Sequence, residues 1–465
     1  MRNLNVWLLC YANDNDAFVP ERWANESLAI LQENTVMTNL VHRDFSAEVA
    51  QYGDVVNTRR PQEFTLKRKG MDDDVVAQDA KAVNVRVPLN QHLYETFIIK
   101  DAEASMSFKD LAAVYIVPAA QRIATGLDRI LLGQAQKFQV NAAGRLGEMT
   151  ESNARDWMLE ARQKLNDNKA YQAGRNLVLS SHAETEMLKT DLFIAANQRG
   201  DGGMALEEAR LGRILGFDTF MDQNTPYVPL VNADTITLNH TAGAAAGDTG
   251  NKAVTSSTEV TNGEFVWFTG EGQPHVISAH TGSGATTGIT LVNPYKYAVA
   301  TDAVGYSFKA AAVKGAYASG YCKEISIDGI TANKLPVVGQ LIAFGTGSSR
   351  HTYTIVEATT VSTTEVKVLL DIPLTKSLAD NDAAFPGPHG SWCFAFHRNA
   401  LALVTRPLIL PRAETGVSSA IANLDGVGIR VTMQYNAEKQ GTFTTIDLLC
   451  GTAVLDANLG CTLYA

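Results

Sequence analysis

What this chain of 465 residues has little of narrows its chemistry first. Its five cysteines, Cys10, Cys322, Cys393, Cys450 and Cys461, are scattered, odd in number and form no CxxC pair. That argues against a disulfide framework and a thiolate zinc site, and it predicts buried thiols in a reducing cytosol. No apolar run approaches the ~18–20 residues of a membrane span. A net charge of −10 implies neither a nucleic-acid-coating surface nor a polybasic membrane patch. Catalytic signatures are missing as well. Gly247–Lys252 (GDTGNK) lacks P-loop spacing, and Gly282–Gly288 (GSGATTG) fails GxGxxG in a β-rich stretch with no following helix. Neither GxSxG nor HExxH occurs. No histidines fall in metal-ligand pairs on a predicted helix, although His275 and His280 share one β run. The acidic clusters Asp72–Asp74 and Asp380–Asp382 lack the ligand spacing of a calcium loop. We therefore assign no catalytic, cofactor-binding or metal residues, and read the chain as a non-enzyme.

What is there is organised around Ser107–Val140. Phe108, Leu111, Tyr115, Ala119, Ile123, Leu127, Ile130, Leu131 and Phe138 recur at helical spacing. One helix over this stretch would be ~50 Å long at 1.5 Å per residue. Ser107 and Asp110 are placed to cap it, and Pro118 is expected to bend it near Val114 rather than end it. Upstream, Val6–Ala12 is too short an apolar run for a signal peptide and is followed at once by Asp14 and Asp16. It reads as a hydrophobic arm, and Pro20–Met37 as a short amphipathic helix with Trp23, Leu28, Leu31 and Val36 on its apolar side.

Between arm and spine, Thr58–Lys69 alternates like a strand and Ala82–Ile99 returns as another. The first carries Arg59, Arg60, Lys67, Arg68 and Lys69, and the turn carries Asp72, Asp73 and Asp74. Such a basic ribbon with an acidic tip has no core of its own. Isolated hairpins are marginal in water, so a neighbouring copy is the economical surface for it to lie on. Downstream of the spine, Ser152 is expected to cap a helix through Trp157, Leu159 and Leu165. Arg175–Leu179 is expected as a strand, a helix as following it, and Leu211–Tyr227 as a strand that ends in turn residues.

From Leu230 to Pro388 the composition shifts to Thr, Gly, Ala, Ser and Val, and short alternating runs replace helical periodicity. An internal repeat is visible. Gly263–Gly270 (GEFVWFTG) recurs about 76 residues later as Gly339–Gly347 (GQLIAFGTG), each followed by a β run. Gly288–Phe308 then aligns with Glu365–Phe385. Two small antiparallel β-barrels or sandwiches in tandem are predicted, inserted into an α/β domain that resumes at Ser391. The final strands are broken at AEKQGT, a hairpin signal.

This order of parts resembles the major capsid proteins of tailed bacteriophages, the Hong Kong 97-type fold. The most family-like stretches are Arg175–Ser181 (RNLVLSS), Leu211–Asn224 (LGRILGFDTFMDQN), Phe394–Leu408 (FAFHRNALALVTRPL) and Leu449–Leu463 (LCGTAVLDANLGCTL). The resemblance covers nearly the whole chain, and the insertion is similar to the extra β-domain of short-tailed phage coat proteins, here carried twice. It implies an α+β fold: an arm over 1–57, an extended loop over 58–94, and a peripheral domain over 95–150 completed by 427–465. An axial domain would take 151–229 and 389–426, with inserted β-domains over 230–312 and 313–388.

The resemblance also implies a shell of hexamers and pentamers enclosing double-stranded DNA contacted non-specifically. The extended loop would clasp the adjacent subunit through Arg59, Arg60, Lys67–Lys69 and Asp72–Asp74. The spine, with Phe108, Leu111, Pro118, Ile123, Leu127 and Leu131, would support it. A scaffolding protein, a portal protein and a decoration protein are the implied partners, with no membrane. The implied location is the virion, assembled in host cytoplasm. An encapsulin-like nanocompartment, a secreted β-rich adhesin and an enzyme with an inserted β-domain are the other readings. The missing signal peptide and the long spine count against the adhesin.

Overall fold

The computed structural model describes residues 27, 35–43, 55–60, 66–72, 74–75, 77–78, 83–102, 111–190, 211–225, 227–228, 233–240, 243–256, 259–283, 286–388, 390–411, 417–424 and 427–465. They form an α+β structure, mostly sheet with few helices. Helix α1 spans Leu111–Gly133, runs unbroken through an exposed Pro118, and tightens into a 3₁₀ stretch over Gln134–Asn141. The expected helix to Val140 thus changes pitch after Gly133. The polar run QAQKFQVN there lacks the broad apolar face that holds the preceding turns. Ser107, Phe108 and Asp110 lie outside the described residues.

The apolar stripe of α1 is spent inside its own chain. Ile123, Leu127 and Leu131 are buried with Phe394, Phe396, Ile446 and Leu448 in the largest apolar cluster. Each such side chain contributes about 1.5–3 kcal/mol on burial. Two sheets flank this core. In the five-stranded one, Gly441–Val454 is the hub. It pairs with Leu401–Arg406 and Val427–Asn436, and with Gln91–Lys100, while Val417–Leu424 joins beyond. The turn 437–440 closes the hairpin expected at AEKQGT, with Asn436 opposite Gly441. The seven-stranded sheet centres on Gly390–His397. This strand pairs with Gly460–Tyr464, with Arg175–Leu179, and with the short Tyr227–Val228. Helices α2 (Ala154–Asp167) and α3 (Ser181–Lys189) pack with this sheet. Leu401–Arg406 therefore sides with the strands after 427, whereas Gly460–Tyr464 crosses to the other sheet.

Two closed six-stranded barrels lie between Tyr227–Val228 and Gly390–His397, two strands whose ends pair through Gly390 and Val228. The first uses Asp234–Leu238, Lys252–Ser256, Phe265–Phe268, His275–Thr281, Thr286–Leu291 and Val304–Ser307. The second uses Ala311–Lys314, Ile325–Asp328, Leu341–Phe344, His351–Thr360, Val366–Leu370 and Ala383–Pro386. Each buries one side of its strands, with Val254, Phe268 and Ile289 inside the first and Ile327, Phe344 and Val368 inside the second.

Several local expectations are corrected. Of the strand expected over Thr58–Lys69, 58–60 belong to Val55–Arg60, paired with Val83–Pro88, 61–65 lie outside the described residues, and 66–70 is irregular. The return is broken at 89–90, because its second half, Gln91–Lys100, is recruited by the five-stranded sheet. Ser152 does not cap α2. Asn153 is the residue before the helix, and Ser152 Oγ sits 3.0 Å from Thr150 Oγ1 instead. The helix does run through Trp157, Leu159 and Leu165, with Leu165 buried and Leu159 41 % exposed. The cap that the structure does use in this region is Ser180, whose Oγ accepts from Ala183 N at 3.2 Å at the start of α3. Trp23, Leu28 and Leu31 of the helix expected over Pro20–Met37 fall outside the described residues, Ser27 within it is helical, and a further helical turn spans Met37–Leu40.

Candidate functional site

The hairpin is built from six-residue strands, with Arg59 opposite Asn84 and Arg60 opposite Val83. Leu66, Met71 and Val75 are 91 %, 102 % and 82 % exposed, an apolar set that the subunit itself does not cover. Lys67, Arg68, Lys69, Asp72 and Asp74 are exposed on the same stretch, and Asp73 lies outside the described residues. Charge of both signs and bare apolar side chains therefore share one protruding tip. Of the spine residues, Ile123, Leu127 and Leu131 are sealed in the core, Pro118 faces out, and Leu111 opens the helix.

Two polar seams, neither visible to the sequence reading, fix the barrels to this frame. The first barrel sits on α2 and the strand Ala143–Gly144. Lys296 Nζ donates to Glu160 Oε1 at 2.9 Å and to Ala142 O at 3.0 Å, and Tyr297 Oη donates to Glu160 Oε1 at 3.0 Å. Gln273 Nε2 reaches Gly144 O at 2.7 Å, and Leu146 N donates to Gly272 O at 3.0 Å. Burial alone would raise the Glu160 carboxyl, but the Lys296 ammonium and these donors hold it below the usual carboxylate range.

The second barrel sits on the C-terminal end of α1. Thr354 Oγ1 donates to Gly133 O at 3.1 Å, and Asp371 accepts from Thr354 N at 3.0 Å and Gln134 Nε2 at 3.0 Å. The approach is close. A Cβ at Gly133 would stand 3.0 Å from Asp371 Cβ. Burial pushes the Asp371 carboxyl up to about 6, against the opposing pull of the Thr354 amide and the Lys137 ammonium. Arg122 pairs with Glu357 on the same seam. A carboxylate at the carbonyl end of a helix has the wrong sign for the helix dipole, which sharpens its dependence on those donors.

Asp128, fully buried on α1, holds the segment before the hairpin by accepting from Val36 N at 2.9 Å. Burial, then the like charge of Asp222, lifts its carboxyl to about 7. No sequence pattern marks Asp128, Glu160 or Asp371, because their partners lie 92, 136 and 237 residues away. Among the described residues, no group of three or more His, Cys, Asp and Glu is placed to hold a metal ion. No described helix is long and apolar enough to cross a membrane.

No family model matches the chain, and no curated protein matches it. Among solved structures, the chain is similar to one from Mycobacterium phage Che8, at 12 % identity and a TM-score of 0.43, over 92 % of this chain and 90 % of that one. It is similar to the capsid structure of the cyanophage P-SCSP1u, at 11 % identity and a TM-score of 0.44, over 93 % and 88 %. The capsid structure of Staphylococcus phage Andhra shares 7 % identity at a TM-score of 0.38, over 91 % and 84 %. At these scores the likeness to phage capsid structures assigns no role to any residue of this chain.

Proposed function

We propose that the chain is a major capsid subunit of the Hong Kong 97 type, a structural protein that assembles with its own copies into the icosahedral shell of a tailed phage. The observation that carries this reading is the hairpin tip. On the stretch 66–75, Leu66, Met71 and Val75 are left bare beside charges of both signs. Exposed apolar side chains in such a protrusion are what a partner surface covers. The order of arm, hairpin, spine helix and sheet hub supports the same reading, since it lays the tip outside a rigid frame. Hexamers and pentamers would form through the seven-stranded sheet and its helices, and the tip would clasp the adjacent subunit. Individual surface ion pairs are worth ~0–1 kcal/mol, so Lys67–Lys69 and Asp72–Asp74 would set register while apolar burial holds the shell. A scaffolding protein, a portal, a decoration protein and packaged double-stranded DNA are the partners of such a shell, formed in host cytoplasm.

Expression of the chain alone, followed by negative-stain electron microscopy and light scattering, tests the reading. Closed shells, tubes or polyheads are expected, with the scaffolding protein supplied if the chain alone stays monomeric. Deleting Met71–Val76 is expected to leave a folded monomer that no longer builds shells. Normal particles from that deletion would overturn the clasp.

A further inference from the structure

The segment 35–43 is stitched to three parts of the frame. Met37 and Val41 are buried in the largest apolar cluster. Val36 N donates to Asp128 Oδ2 of α1 at 2.9 Å, and Asn176 Nδ2, on the strand Arg175–Leu179, donates to Leu40 O at 3.4 Å. His42 N donates to Leu401 O at 3.1 Å, and Leu403 N to His42 O at 3.0 Å. Beneath these stitches lie two buried carboxyl groups, Asp128 and Asp222, the second just past the strand Phe217–Met221. Each spends one oxygen on the backbone, Asp128 on Val36 N and Asp222 Oδ1 on Asn224 N at 2.8 Å. Asp128 Oδ1 and Asp222 Oδ2 are buried without a hydrogen-bond partner. The cations on the neighbouring elements are engaged. Arg129 pulls on Asp222 while its Nη1 donates to Val356 O at 3.4 Å, Arg122 pairs with Glu357, and Arg213 pairs with Asp218 at 3.6 Å. His42 and Arg43, the segment's own titratable and charged groups, each have partners as well.

We infer that Asp128 and Asp222 share one proton, and that this proton latches the segment 35–43 onto the frame. The device acts within one subunit, so it stands or falls apart from the shell reading. Two buried carboxyl groups that feel each other cannot both ionise without a large desolvation and repulsion cost, and each keeps a free oxygen where a proton can sit. With the proton in place one group is neutral and Asp128 still accepts from Val36 N. Once it is lost, two like charges are sealed under the segment. The least costly relief is to lift 35–43, because water can replace its few polar stitches and solvate Asp128. The direction in pH follows. Asp128 is pushed up to about 7 from an ordinary 3.8, so between those values the docked segment holds a proton that the lifted one releases. Docking is therefore tightest near pH 4, loosens as pH rises to about 7, and is flat in this pair above that.

Hydrogen exchange of the full chain at pH 5, 6, 7 and 8, followed by mass spectrometry with intrinsic rates divided out, tests the latch. The amides of 36–43 are expected to open ahead of those in the hub strand Gly441–Val454. Their protection should fall about tenfold per pH unit from 5 to 7 and no further at 8. Asp128→Asn keeps an oxygen for Val36 N and has no proton to lose, so the slope should vanish. Asp222→Asn removes the like charge and lowers the value at which Asp128 titrates in the docked state. The fall should then end below pH 7, leaving the segment better protected at pH 7 than in the unsubstituted chain. Where Asp128→Asn does not fold, the unsubstituted series and Asp222→Asn still decide. Segment amides that exchange only together with the hub strand overturn the latch, as does a slope that survives Asp128→Asn. Protection at pH 7 restored by added calcium, and not by acid, would also overturn it, since the pair would then hold a metal ion in place of a proton.

Discussion

The two barrels have one topology and two kinds of anchorage. In each, the first strand pairs with the second and sixth, the second with the fifth, the fifth with the fourth, the fourth with the third, and the third with the sixth. Both have a bulge at the same point of the fourth strand, after Ile277 and after Ile355. Gly263 N donates to Ile277 O at 2.9 Å, as Gly339 N does to Ile355 O at 2.7 Å. Even the left-handed residue before the sixth strand recurs, Asp302 at φ 61° and Asn381 at φ 67°. Where they differ is at the face turned to the rest of the subunit. Asp371, wedged against α1, has Val292 as its counterpart, since Asp371 N donates to Thr354 O as Val292 N donates to Val276 O. Val292 is 57 % exposed. The barrel interior is thus a shared solution for burying apolar strands, and specificity of attachment resides in a few polar side chains that the repeat does not conserve between its two copies.

The first way to break the comparison is at the first barrel's seat, where the largest effect is expected. Gly272 has φ +60°, and a Cβ there would lie 2.3 Å from Arg145 Cβ and 2.7 Å from its Cα. Gly272→Val should cost about 4 kcal/mol through backbone strain and overpacking. Ser348 lies four residues past Phe344, as Gly272 lies four past Phe268, and it is exposed. Ser348→Val should change stability by less than about 0.5 kcal/mol. Urea unfolding of both variants checks the contrast, and equal midpoints would mean the first barrel is not held at this turn.

The repeat was legible because matched turn and strand residues survive in both copies, notably Gly263 and Gly339. Its register was legible only in part. The offset is 76 residues at that pair but 79 at Asp302 and Asn381, because the later connections are longer in the second barrel. The expected match of Phe308 with Phe385 is therefore two residues out. Tyr306, opposite Trp267, occupies the place of Phe385, opposite Ala343. The strand Arg175–Leu179 was readable from its apolar run Leu177–Leu179 after the turn at 172–174, and all five of its residues are buried. The seams were not, because a lone Asp, Glu or Gln acquires meaning only from what tertiary folding sets against it. The charged tip was readable, but the apolar exposure of Leu66, Met71 and Val75 needed the fold, since sequence alone would assign such residues to a core.

Arg350 offers a cut between the barrels themselves, with a smaller expected effect. Its guanidinium lies 4.5 Å from the ring centroid of Phe265 and 5.2 Å from that of Phe385, one ring from each barrel. It also donates to Gly263 O at 2.5 Å, and burial lowers it to about 10. Arg350→Ala removes two cation–π contacts and a charge-assisted hydrogen bond, together about 2–3 kcal/mol. Calorimetry should then resolve the barrels as separate transitions. A single transition with unchanged width would show that Phe265, Ala343 and Phe385 suffice to couple them.

The effect that is smallest per step of the measurement is the most diagnostic, because it separates the anchors by charge alone. Asp371 has a folded carboxyl pushed up to about 6 from an ordinary 3.8, so between those values the folded chain holds a proton that the unfolded chain has released. Stability therefore falls as pH rises from about 4 to 6, by about 1.4 kcal/mol per pH unit for one proton, and is flat in this group above that. Asp128, pushed up to about 7, adds a second slope of the same sign that continues to pH 7. Asp371→Asn should remove one proton's worth of slope below pH 6 and leave the slope from 6 to 7 intact. Val292→Asp, at the matching point of the first barrel, should add no slope, since an exposed carboxyl titrates alike in folded and unfolded chains. Midpoints of urea unfolding at pH 4.5, 5.5, 6.5 and 7.5 decide the matter. If Asp371→Asn leaves the slope below pH 6 unchanged, the second barrel's carboxylate is not buried against the spine, and the difference between the two seats disappears.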